Sequence, residues 1–86
     1  MKEFTYTIED ELGIHARPAG LLSKLAKSFP DTLVTVTKGD KTVKASQLMK
    51  LMNMGFKRGD EVTVAAEGAE EDMAIAALRT FFEENL

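Results

Sequence analysis

Leu33-Val34-Thr35-Val36-Thr37-Lys38-Gly39-Asp40-Lys41-Thr42-Val43-Lys44 decides the architecture. Apolar and polar residues alternate on both sides of Gly39-Asp40, and β-branched side chains dominate. The stretch therefore reads as two antiparallel strands, 33–37 and 41–44, joined by a tight turn. Val34, Val36 and Val43 share the inward face, which needs apolar cover, while the other face tolerates water.

The flanks supply that cover. Toward the N-terminus, Pro30-Asp31 ends a helix predicted over 16–29, in which Leu22, Leu25, Ala26 and Phe29 recur at i, i+3, i+4 and i+7. Proline is accepted only in a first turn, so Pro18 puts the start of this helix at His15 or Ala16. Before the Asp10-Glu11-Leu12-Gly13 loop, Phe4-Thr5-Tyr6-Thr7-Ile8 alternates as a first strand. Toward the C-terminus, Ser46 is expected to N-cap a short helix through Leu48, Met49, Leu51 and Met52, closed by Gly55 at C′. Glu61-Val62-Thr63-Val64-Ala65-Ala66 alternates as a fourth strand. The acidic run Glu70-Glu71-Asp72 suits the N-terminus of a last helix, with Ala74, Leu78 and Phe81 on its buried face and Ile75 and Phe82 alongside. The order β-α-β-β-α-β-α is that of an α+β two-layer domain spanning 1–86.

Composition excludes several classes. The chain is 44% apolar and 29% charged, ordinary values for a folded protein and far from a disordered one. It has no cysteine, which rules out a disulfide framework, thiolate metal sites and a cysteine nucleophile, and fits a reducing compartment. A net charge of −3 argues against a nucleic-acid partner. Apolar runs are too short to span a membrane, and Met1-Lys2-Glu3-Phe4 opens no signal peptide, so a soluble cytoplasmic protein is expected.

The groups able to do chemistry are few. The single histidine, His15, sits in Leu12-Gly13-Ile14-His15-Ala16-Arg17-Pro18-Ala19, at the predicted start of the first helix. First-turn amides lack intrahelical partners and carry partial positive charge, which makes such an end an anion site. Pro18 has no N–H, so the donors are the amides of Ala16 and Arg17, and the Arg17 guanidinium suits phosphate oxygens. Positive surroundings favour the neutral, nucleophilic imidazole and would hold a dianionic phosphoryl group once it is attached. Position alone leaves two readings open, a surface or capping histidine and a phosphohistidine site. A metal site lacks further histidine or cysteine ligands. Neither a Gly-x-Ser-x-Gly elbow nor a P-loop occurs, so phosphate would have to arrive on another protein.

Gly13-Ile14-His15-Ala16-Arg17-Pro18-Ala19 resembles the active-site segment of the HPr family, the histidine-containing phosphocarriers of the bacterial phosphoenolpyruvate-dependent sugar phosphotransferase system. The Gly39-Asp40 hairpin, the short helix ending at Gly55, and Glu61-Val62-Thr63-Val64 followed by Ala66-Glu67-Gly68 extend the resemblance over the whole chain. It implies an open-faced β-sandwich, a four-stranded antiparallel sheet with three helices on one face. It also implies a covalent phosphoryl carrier without a cofactor, monomeric, acting between enzymes and not as an enzyme itself. In that family the motif histidine takes phosphate on Nδ1 from phosphorylated enzyme I and passes it to enzyme IIA components. His15 matches that role, Arg17 the phosphate-stabilising arginine and Ala16 the backbone donor. Partners of the family dock beside the histidine, where Pro18, Gly20, Leu21, Leu48, Met49, Lys50 and Met52 are the matching positions. Methionine repacks cheaply and suits a surface that meets several partners.

One departure concerns regulation. Some members carry a serine, at the start of the second helix, that a dedicated kinase phosphorylates. Counting forward from His15, this seat falls on Ser46; counting back from Gly55, it falls on Gln47. Strand alternation favours one extra residue between Phe29 and Val34, which puts Gln47 in the seat and leaves Ser46 chiefly as an N-cap. A regulatory Ser46, with a serine kinase or a transcription regulator as added partners, is the alternative. A regulatory HPr-like binding module and a nitrogen-branch phosphocarrier are the rival functions.

Overall fold

The computed structural model describes residues 1–10 and 16–86. Its elements run β1 (Lys2–Thr7), α1 (Ala16–Lys27), β2 (Thr32–Lys38), β3 (Lys41–Lys44), α2 (Leu48–Asn53), β4 (Glu61–Gly68) and α3 (Glu71–Asn85). The strands form one antiparallel sheet in the order β1-β4-β2-β3.

Register follows from the alternation. Phe4, Val64, Val36 and Val43 stand in line across the four strands, and so do Thr5, Thr63, Thr37 and Thr42 one residue further along. The first row faces the helices and the second faces out. A slip of one residue would exchange them, so burial alone enforces the pairing. Gly39 takes φ +62° at the first turn position, as the tight hairpin requires.

The core joins Phe4, Val34, Val36, Val62 and Val64 from the sheet to Ala19, Leu22 and Ala26 of α1, Leu51 of α2, and Ala74, Leu78 and Phe82 of α3. Phe82 stands edge-on to Phe4 and Tyr6, at centroid distances of 5.8 and 5.5 Å. Burial and two neighbouring carboxylates, Glu9 and Glu83, raise the Tyr6 phenol above its ordinary pKa.

Several expectations need correction. α1 stops at Lys27, short of Phe29, because the amides of Ser28 and Phe29 bond back to Leu25 and Ala26, three residues away, and tighten the last turn. Its buried stripe is Pro18, Ala19, Leu22, Ser23 and Ala26, with Leu25 and Phe29 only partly covered. On α3 the central aromatic is Phe82, and Phe81 lies at the margin. Ser46 is not the N-cap of α2. The Gln47 amide closes a turn onto Lys44, and the Leu51 amide bonds to the Gln47 carbonyl, which makes Gln47 the cap residue, without a side-chain cap bond.

Candidate functional site: the exposed ends of α1 and α2

α1 opens at Ala16, which is exposed. His15 lies outside the described residues. Arg17, also exposed, lines a hollow of about 280 Å³ together with Asp10, Pro18, Leu21, Glu84 and Asn85. The approach to this hollow is pinned just beyond α3, where the main-chain oxygen of Leu86 accepts the amides of Glu9 (2.6 Å) and Asp10 (2.9 Å). The described start of α1 thus places one guanidinium in a hollow that two carboxylates, Asp10 and Glu84, also line. A guanidinium there can meet an anion at the helix start.

Pro18 is buried, so it fixes the first turn and contributes little to the outer surface. Gly20 is half-buried, and a Cβ built on it would meet nothing within 4 Å. Leu21 is 44% exposed and borders a second groove, of about 390 Å³, formed with Lys24, Leu25, Ser28, Phe81 and Asn85 between α1 and α3.

The other named positions gather on α2. Leu48 and Met52 are each 38% exposed, Met49 is 66% exposed, and Lys50 points to solvent between them. Only Leu51 of this six-residue helix is buried. The helix ends at Asn53 and is capped by Met54, followed by Gly55 at φ +70°, the left-handed C′ conformation that glycine adopts without strain. α1 and α2 are joined at the entry of α2, where the Ser23 hydroxyl, buried in α1, donates to the Ser46 carbonyl at 3.0 Å. Ser46 is half-buried and Gln47 exposed. The structure thus brings Leu48, Met49, Lys50 and Met52 together, and places Arg17 and Leu21 along the α1–α3 side.

Sequence reading missed Ser23, a polar residue in the buried stripe, and the acidic neighbours of Arg17. The interruption of the apolar face at Ser23 was the one available signal. Asp10 and Glu84 carry no local mark. Among the described residues no group of histidine and carboxylate side chains could hold a metal, and no helix is long and apolar enough to cross a membrane.

Comparison with known proteins gives a single family. The family model described as PTS HPr component phosphorylation site matches residues 2–84. The phosphocarrier protein HPr of Mycoplasma genitalium is 36% identical over 85 residues, covering 99% of this chain and 97% of that protein. Among solved structures, an HPr from Thermoanaerobacter tengcongensis superposes with a TM-score of 0.91 at 39% identity, covering 98% of this chain and 93% of that one. A mycoplasma histidine-containing phosphocarrier protein superposes with a TM-score of 0.92 at 34% identity, covering 96% and 93%.

Proposed function

Because this chain belongs to the HPr family of the phosphotransferase system, whose members are phosphocarriers and not catalysts in the usual sense, we propose that it relays a phosphoryl group from phosphorylated enzyme I to enzyme IIA components through His15. The observation that carries this reading is the exposed start of α1 at Ala16 and Arg17, directly after the only histidine in the sequence.

The neutral imidazole of His15 attacks the donor's phosphorus. A nitrogen–phosphorus bond forms as the bond to the donor breaks, and the electron pair of that bond leaves with the donor. The first-turn dipole and the Arg17 guanidinium then stabilise the dianionic group. Transfer to the acceptor reverses these steps and regenerates the imidazole. No cofactor takes part. Leu48, Met49, Lys50 and Met52 on α2, with Gly20 and Leu21 on α1, supply the surface that both partners read in turn, and the methionines let one surface fit two shapes.

Incubation with enzyme I and phosphoenolpyruvate tests the assignment. The chain should acquire one acid-labile phosphate, and His15→Ala should abolish it while leaving the circular-dichroism spectrum unchanged. Labelling that persists in the variant would refute the role of His15.

A further inference from the structure

α2 carries the exposed docking side chains, yet it has little of its own to hold it. It is six residues long, buries one side chain and lacks a side-chain cap. Helices this short are unstable by themselves and take their order from outside contacts. Beyond Leu51 in the core and the Ser23 bond at its entry, the contact on its exit side is a cation. Lys38, the last residue of β2, donates from Nζ to the Gly55 carbonyl at 3.0 Å and pairs with Asp60 Oδ2 at 2.9 Å. The same carboxylate oxygen accepts the Lys57 amide at 2.8 Å, while the Asp60 amide bonds to the Lys57 carbonyl at 3.0 Å. The loop 55–60 is thereby closed into one unit behind α2. Its far side is bonded to the end of β1, with the Gly59 amide to the Ile8 carbonyl at 2.8 Å and the Ile8 amide to the Asp60 carbonyl at 2.9 Å. Ile8 is buried, and the chain runs from it through Glu9 and Asp10 toward the start of α1.

We propose that Lys38 is a positioning residue, which bridges the Gly55 carbonyl and the Asp60 carboxylate and so sets the pose of α2 that partner proteins recognise, without touching a partner itself. This rests on the reading of α2 as a docking surface given above. Lys38 belongs neither to the core nor to the residues that line the Arg17 hollow. Its role is to hold the carbonyl of Gly55, the residue just beyond the cap of α2, and to make one rigid body of the hairpin and the loop that follows α2. Order supplied before binding does not have to be supplied during it, so loss of the bridge weakens association and leaves chemistry untouched.

The test compares Lys38→Met, Asp60→Asn and Met49→Asp. Both bridge variants should speed amide hydrogen exchange at Leu51 and Met54 about tenfold in the isolated chain, with Val36 and Val64 unchanged. Both should also raise KM for this chain as the substrate of enzyme I about fivefold, with kcat within about twofold. The two substitutions change net charge in opposite directions, so an effect of long-range attraction would move KM oppositely, and a common rise identifies positioning. Unchanged exchange in α2 overturns the proposal whatever the partner data show. Faster exchange with unchanged KM also overturns it when Met49→Asp raises KM. If Met49→Asp leaves KM unchanged as well, the docking surface itself is misassigned and the proposal falls with it.

Discussion

Arg17, proposed above to stabilise the phosphoryl group, is exposed at the first turn of α1, and Asp10 and Glu84 share its hollow, so its value to the fold is small. A charge-assisted contact to phosphate contributes about 1.5–3 kcal/mol, so Arg17→Ala should slow transfer roughly 10–100-fold. The thermal midpoint should stay close to that of the parent, since exposed substitutions usually stay within about ±0.5 kcal/mol. Rapid-quench transfer from phosphorylated enzyme I, alongside a melting curve, measures both quantities. A parent-like transfer rate would make Arg17 an ordinary surface residue.

Among the elements, α2 separates exposure from burial within a single turn. Leu51 is fully buried, and Met49, two positions earlier, is 66% exposed. Met49→Asp should therefore be nearly neutral for folding and, on the proposed docking role of α2, severe for association, because it would put an unpaired charge into the desolvated patch. Titration of enzyme I by calorimetry should show binding weakened by at least about tenfold, equivalent to about 1.4 kcal/mol. A large fall in melting temperature would instead mark Met49 as core, since deleting buried methylenes costs about 2–5 kcal/mol.

For the molecule as a whole, acid tests the bridge that closes the loop behind α2. The hydrogen bond from Lys38, with that from the Lys57 amide, holds the Asp60 carboxyl below its ordinary value. The ionised form is therefore favoured more in the folded state than in the unfolded one. This contribution is complete above the ordinary carboxylate range and is lost as pH falls from about 4 through the lowered value. Melting temperature should be level from neutral pH to the upper edge of that range and then decline. Asp60→Asn should start lower at neutral pH and show a shallower acid decline, and parallel curves for parent and variant would contradict the coupling.

Much of this protein could be read directly from its residues. Alternation over 33–44 set strand register, because a slip would turn Val34 and Val36 out to water. Pro18 marked the first turn of α1, Gly55 marked the end of α2, and the segment from Gly13 to Ala19 identified the family. These are local signals, each carried by backbone preference or period. Tertiary structure decided what depends on partners distant in sequence. Gln47 rather than Ser46 caps α2, because the chain turns at Lys44–Gln47, where the Ser46 carbonyl is bonded by Ser23, a residue of another helix. Lys38 reaches Gly55, seventeen residues away, only because the hairpin and the loop after α2 fold onto the same side. A cation at a strand end looks the same in sequence whether it meets water or a loop carbonyl, and packing alone distinguishes the two.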